Sequence, residues 1–318
     1  MGPGRVRRSI CYDALMRRLL VIAAFAACAS LFPRLAGASG SIGGDWTTGN
    51  GYRGFDVKGD IDLDSKGDWN GAASYAYAHS KVGTESRSNQ FTVGINHVMD
   101  EQWSSRFGFT GWEDTLNEVK YAGPSFGITY TEYDSPEADS ESYRVAFDND
   151  FFLYKADQSS AARRVKVGNA FVVIPANQGD VSLGQWHPSM LFEKPVQPWL
   201  IPWAAISHSF YSKNPSLIED RAGRPAFSSS SGALNGLVGG LFNNTGQLGV
   251  DFKLPAHLRL SLSLGVEQQA SDNTWSTTQN AGLTGLFFDH WRAKVSWSRS
   301  IQNGLASDLV TAGSSWLF

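Results

Sequence analysis

The chain has 318 residues, a formal net charge of -3 and two cysteines, Cys11 and Cys28, both near the N-terminus. This length suffices for one large domain, and the acidic balance argues against a nucleic-acid partner, whose phosphates require a basic surface. Because no cysteine follows Cys28, disulfides and cysteine-ligated metal sites are excluded from the rest of the chain.

Residues 1–38 are predicted to be an export signal peptide. Arg17 and Arg18 precede an apolar run at 19–32, and Ala36-Gly37-Ala38 forms a small-residue cleavage site. The apolar run is shorter than the roughly 20 residues that a membrane-spanning helix needs. Met16 would also serve as an initiator, which would make residues 1–15 a mis-assigned start. We expect residues 39–318 to form one exported domain with a net charge of -8.

The first long alternating segment runs from residue 54 to residue 64. Phe55, Val57 and Ile61 alternate with charged residues, as in a β-strand whose successive side chains point to opposite faces. A dry core cannot hold so many unpaired charges, so this polar face should contact water. The polar face carries Asp56, Lys58, Asp60, Asp62 and Asp64.

A calcium site on this acidic face is not expected. The segment lacks the glycine and the distal glutamate of an EF-hand, and side chains along one strand face diverge too far to share one ion. We therefore predict no metal and no cofactor.

The same alternation recurs through most of the chain. It is clearest in "LRLSLSLGVE" at 258–267, where four leucines and Val266 share one face. Leu258 to Val266 would span roughly 27 Å, or about 21 Å after a tilt near 40°, close to the apolar band of an outer-membrane barrel, about 25 Å tall. Charged residues predicted on the polar faces of other strands are Arg106, Arg144, Asp148, Arg292 and Lys294.

The connections between strands are predicted to alternate in length, with short and long connections at opposite ends of the sheet.

No segment after residue 40 keeps helical apolar spacing over three turns, so only strands and loops are expected. Five prolines between residues 171 and 212 leave the strand count between 12 and 14. The predicted connections are tight at 255–257 and 289–290, medium at 268–277 and 301–308, and long at 212–245.

The C-terminal segment "DLVTAGSSWLF" carries Val310, Ala312, Trp316 and Phe318 at even-numbered positions, which lie on the same face of a strand. Here the chain resembles Gram-negative outer-membrane β-barrel proteins, whose final strand ends in Phe after alternate apolar residues. The resemblance implies an all-β, closed antiparallel transmembrane barrel with short periplasmic turns and longer extracellular loops, and the pattern of the chain sets its size at about 12–14 strands. It also implies contacts with outer-membrane lipids and lipopolysaccharide, and recognition of the last strand by the barrel-assembly machinery. A soluble sandwich or barrel, which also alternates, is the competing interpretation.

The expected function is porin-like passive diffusion of small hydrophilic solutes through a lumen lined by both signs of charge. Internal salt bridges that plug the lumen fit the same residues. The long loop at 212–245 would either fold into the barrel as a constriction or stand outside as a binding or phage-exposed loop. If it folded inward, Arg221 and Arg224 would oppose the acidic strand face.

Two other classes stay open: a lipid-modifying hydrolase of the phospholipase or lipid A deacylase type, and a non-conducting structural or surface-recognition barrel. Catalysis is not favoured, since adjacent residues such as His79-Ser80 and His208-Ser209 point to opposite faces of a strand.

Overall fold

A computed structural model gives the fold and describes residues 39–81, 85–114, 119–132, 143–157, 163–167, 170–174, 180–215, 241–270, 273–302 and 304–318. The predicted signal peptide, Arg221 and Arg224 lie outside these residues. The segment Gly40–Phe318 forms one compact unit. No helix within the described ranges is long and apolar enough to cross a membrane.

The described residues form antiparallel strands throughout. The strands are β1 (Gly40–Gly49), β2 (Tyr52–Asp62), β3 (Trp69–Ser80), β4 (Ser86–Val98), β5 (Trp103–Asp114), β6 (Val119–Thr131), β7 (Arg144–Asp157), β8 (Arg163–Val167), β9 (Ala170–Ile174), β10 (Asp180–Glu193), β11 (Leu200–His208), β12 (Phe210–Tyr211), β13 (Phe242–Leu254), β14 (Leu258–Gln269), β15 (Trp275–Phe287), β16 (Trp291–Gln302) and β17 (Leu305–Leu317).

The sheet closes on itself. Around the barrel, β1 to β7 pair in chain order, β7 pairs with β10, and β10 pairs with both β11 and β12. β11 then pairs with β13, β13 to β17 pair in chain order, and β17 pairs with β1, while β8 and β9 form a separate hairpin. The segments β11 and β12 keep one register against β10, with Ser189 opposite Ser207 and Trp186 opposite Phe210. Their pairing with β10 is interrupted at His208 and Ser209, opposite Pro188 and His187, and Pro188 has no N–H to donate. Counted as one strand, they give a barrel of 14 strands, which confirms the predicted fold class.

The proline-rich part of the chain forms barrel strands despite its prolines. Pro188 lies inside β10 and Pro202 inside β11. The segment 171–212, which was ambiguous in the sequence, therefore supplies two barrel strands, β10 and the combined β11 and β12, and most of β9. This assignment selects the upper end of the predicted range of strand numbers.

Connection lengths differ between the two ends of the barrel. We call the end that holds Gly40 and Phe318 the terminal end, and the opposite end the loop end. The tight connections predicted at 255–257 and 289–290 lie at the terminal end, the second as the turn 288–290. The two longest connections, 158–179 and 212–241, lie at the loop end.

The strand bounds correct two predicted connections and add one that was not predicted. The medium loop predicted at 301–308 is a tight turn between Gln302 and Leu305, because β16 and β17 continue to those residues. The connection 132–143 is long although it lies at the terminal end, and residues 242–245 of the predicted long loop already belong to β13. The length asymmetry therefore arises mainly from two loops.

The apolar face of the strands points away from the barrel. In β14, Leu262, Leu264 and Val266 are exposed, whereas Gly265 is buried and Ser263 is half-buried. Leu264 is 63% exposed and Leu248, opposite it on β13, is 67% exposed. An outer surface of this kind is the reverse of a soluble barrel, in which apolar side chains fill the interior.

The two faces of β14 should respond differently to a lysine. Leu262→Lys, on the outer face, is expected to cost roughly 2–4 kcal/mol of folding stability in a lipid bilayer. Ser263→Lys should cost much less, because Ser263 lies among polar partners, accepting hydrogen bonds from Gln247 at 2.9 Å and Asn280 at 3.1 Å. Denaturant titration of both variants in phospholipid vesicles measures the difference, and equal costs would contradict the face assignment.

Candidate functional site: the charged inner wall

Three charged side chains from three strands meet on the polar face. Lys58 of β2 and Lys294 of β16 both donate hydrogen bonds to Asp45 Oδ2 of β1, at 3.1 Å and 3.2 Å. Asp45 is only 10% exposed, so the two ammonium groups compensate a carboxylate that has lost most of its water. The trio places two cations beside one anion.

A glycine permits the contact between Lys294 and Asp45. The strand β17 lies between β16 and β1, and Gly313 is opposite both Lys294 and Asp45 in register. A Cβ atom at position 313 would overlap Asp45 Oδ1. The backbones of Lys294 and Asp45 are two strand spacings apart, or about 10 Å across the sheet. Side chains can close that gap on the concave side of a curved wall. The polar face is therefore the inner face of the barrel.

The same arrangement recurs on the other side of the barrel. Arg106 of β5 donates to Asp148 Oδ1 of β7 at 2.9 Å, and Gly127 of β6 lies between them in register. A side chain at position 127 would again overlap the carboxylate. Two independent ion pairs thus reach across a glycine in the intervening strand.

Two further ion pairs lie nearer the terminal end of the inner face. Arg144 and Glu193 are opposite each other on β7 and β10 and bond at 2.8 Å. Arg259 of β14 pairs with the buried Asp251 of β13. Asp45, Glu193, Asp251 and Arg259 were not among the residues singled out from the sequence. For Asp45, the alternation of residues 40–49 is masked by its glycines and threonines.

The remaining predicted residues are distributed along the same wall and its edge. Asp56 is opposite Asp45 in register, Asp60 accepts from Ser41, and Asp62 accepts from Asn70 at 3.3 Å. Arg292 lies two residues before Lys294, on the same face of β16. Asp64 lies in the turn 63–68 and accepts from the Trp69 amide at 3.2 Å, so it caps a turn at the terminal end.

Most of the cationic side chains on this wall retain contact with solvent. Lys58 is 51% exposed and Arg106 is 49% exposed, although both face inward. Lys294, Arg144 and Arg259 have comparable exposure. A lumen plugged by tightly packed salt bridges would bury these groups, whereas a water-filled space leaves them accessible. We refer to these ion pairs together as the charged wall.

The serine–histidine pairs considered for catalysis have other partners. His79 contacts Glu85 at 2.9 Å and His208 contacts Asn244 at 2.7 Å. The hydroxyl of Ser209 instead forms a hydrogen bond with His187 Nδ1 at 2.8 Å. His187 was not a candidate from the sequence, and it lies in the proline-rich segment to which no strand could be assigned.

This serine and histidine are held in a buried hydrogen-bond network. Ser209 is buried and also accepts from Gln185 Nε2 at 2.9 Å. Asp150 is opposite His187 in register, yet within the described chain no hydrogen bond joins the two. A catalytic serine needs an accessible hydroxyl and an oriented base. The arrangement resembles a structural network, and the hydrolase alternative is not favoured.

Metal ligation has no support in the described ranges, where no three His, Cys, Asp or Glu side chains are grouped to hold an ion. Three residues of the predicted C-terminal signal are exposed on the strand face predicted from the sequence. They are Val310 and Trp316 on the outer face of β17, and Phe318 directly after it. Their predicted role in assembly stays a prediction.

Together, the apolar outer wall, the closed antiparallel sheet and the charged inner wall define the architecture of transmembrane β-barrels. No protein-family model and no curated protein sequence matches the chain. Similar solved structures include the "CymD monoaromatic hydrocarbon channel", with 12% identity, 88% of each chain covered and a TM-score of 0.49.

Two further similar structures are the Ralstonia pickettii toluene transporter TbuX and the "KdgM porin". The former has 10% identity, a TM-score of 0.49 and coverage of 88% of this chain and 89% of the other. The latter has 10% identity, a TM-score of 0.39 and coverage of 87% and 99%.

The glycine between Lys294 and Asp45 should be sensitive to substitution. Gly313→Ala places a methyl group against Asp45 and should separate the pair, at a cost of about 1–3 kcal/mol. Gly282→Ala on β15 is a matched control, since its Cβ would lie at an ordinary 3.4 Å from Ser296 Cβ. Urea unfolding in detergent micelles compares the two. Equal transition midpoints would show that the glycine is not needed for the ion pair.

Proposed function

We propose that this protein is an outer-membrane channel through which small hydrophilic solutes diffuse passively. The observation that carries the proposal is the half-exposed state of inward-facing cations such as Lys58 and Arg106. Charged groups on both sides of the interior then contact water, and a water-filled interior of a closed barrel is a passage for polar molecules.

A membrane location is supported by the outer surface. Large apolar side chains such as Leu248 and Leu264 are mostly exposed, and in water each such group costs about 25 cal/mol per Å² of apolar area. In a bilayer that cost disappears, and closure leaves no unpaired strand edge in the hydrocarbon. Outer-membrane lipids and lipopolysaccharide are the partners we propose for this surface, with the assembly machinery acting on β17 during biogenesis.

The charged wall should determine which ions pass preferentially. In Lys58→Gln/Lys294→Gln, Asp45 and Asp56 lose the neighbouring positive charges, so selectivity should shift toward cations. Reversal potentials in planar bilayers under a KCl gradient measure this shift. Arg87→Gln removes a charge from the opposite, outward face of β4 and serves as the control.

The outcome of the same recordings separates the functional classes. If the folded wild-type protein inserts into the bilayer without conducting, the channel proposal is wrong and a structural or recognition role gains support. If it conducts but the double lysine variant has an unchanged reversal potential, the charged wall does not face the passage.

The long loop requires its own test, because its predicted role as a constriction concerns residues outside the described ranges. Deleting 216–240 removes Arg221 and Arg224 while leaving Phe242 and the rest of β13 intact. A constricting loop predicts a higher single-channel conductance after deletion. Unchanged conductance would remove this role and leave the loop as an external feature.

A further inference from the structure

The inner face has a second zone at the loop end, and it differs from the charged wall. Its buried members are Trp112, Tyr121, Tyr154, Leu183, Leu241 and Ala270, with Phe152 and Tyr211 packed against them. We call this set the aromatic cluster. All of its members lie near the strand ends that face the loop end of the barrel.

The cluster is built as a row across neighbouring strands. Trp112 of β5 is opposite Tyr121 of β6, Tyr121 is opposite Tyr154 of β7, and Tyr154 is opposite Leu183 of β10. Trp112 shares its face of β5 with Arg106, because both have even numbers and strand side chains alternate. The row therefore points into the interior, as Arg106 does.

The aromatic rings are tightly packed. The ring centroids of Trp112 and Tyr121 are 5.2 Å apart and stacked, and Tyr121 lies 4.8 Å from Tyr154 and 5.0 Å from Phe152. Tyr154 is only 3% exposed and Leu183 is fully buried. This part of the inner wall is densely packed with large side chains, in contrast to the solvent-accessible lysines and arginines of the charged wall.

Hydrogen bonds hold the cluster in place. Tyr154 Oη donates to Gln185 Oε1 at 2.6 Å, and Gln185 Nε2 donates to Ser209 at 2.9 Å. Tyr211 Oη donates to the carbonyl of Phe242 at 2.6 Å, linking β12 to the start of β13. Rings tied to the wall in this way are poorly placed to move aside for a passing solute.

We infer that the aromatic cluster is the size-limiting constriction of the barrel and restricts passage at the loop end. This inference rests on the proposed channel function. Apolar constrictions exclude ions by sterics and by dewetting, so the cluster would control how much passes, while the charged wall controls which ion is preferred.

The test exploits two aromatic pairs on the same two strands. Trp112→Ala/Tyr121→Ala opens the inner pair, and Trp103→Ala/Tyr130→Ala removes the outer pair, which is also matched in register with ring centroids 4.9 Å apart. Single-channel conductance and liposome swelling with uncharged sugars of increasing size are measured for both. We expect a severalfold rise in conductance and a larger size limit for the inner variant only.

The outcomes distinguish this inference from the channel proposal. If the wild type conducts and the folded inner variant has the same conductance and size limit, the cluster is not the constriction. If neither the wild type nor the variants conduct, the channel proposal itself fails, and this inference fails with it. Should the inner double variant not fold, Tyr121→Leu, which removes less volume, is measured in its place with the same two expected results.

Discussion

The pairing of β1 with β17 is the constraint on which the rest of the structure depends. From Ser41 opposite Leu317 to Gly49 opposite Leu309, the two strands pair without a break. An open sheet would present a row of unpaired N–H and C=O groups, each costing several kcal/mol in hydrocarbon. Closure removes both edges and separates the strand faces into an outer surface and an interior. Every functional feature of the molecule follows from that separation.

Closure also brings together charges that a flat sheet would hold apart. Lys294 reaches Asp45 and Arg106 reaches Asp148 because the wall is concave and the strand between them has a glycine at the matching position. A glycine inside a strand normally weakens it. At Gly313 and Gly127 that local weakness is offset by an ion pair that needs the space, so the glycines belong to the electrostatics of the interior.

The interior is divided along the barrel axis rather than uniform. Ion pairs such as Arg144–Glu193 lie toward the terminal end, and the aromatic cluster lies at the loop end, where the two longest connections also lie. The proline-rich strands β10 and β11 run through both zones. The pairing of β10 with β11 and β12 is interrupted at His187 and Pro188 without a change of register. Gln185 therefore still reaches Ser209, and the network around Tyr154 is preserved.

The sequence by itself determined the all-β class and the face of each clear strand. These depend on alternation within about ten consecutive residues, which is why Leu262 and Ser263 could be assigned to opposite faces from local pattern alone. The same signal failed where prolines or glycines interrupt it, as around Pro188 and Asp45.

Only the tertiary structure decided the number of strands, the partners of each charge and the existence of the aromatic cluster. Lys294 and Asp45 are 249 residues apart in the chain, and Trp112, Tyr154 and Leu183 meet through the register of strands distant in sequence. Register is set by the whole closed sheet, since a shift of one residue would turn every side chain of a strand to the other face. Contacts of this kind are therefore properties of the closed barrel and are absent from any local pattern of residues.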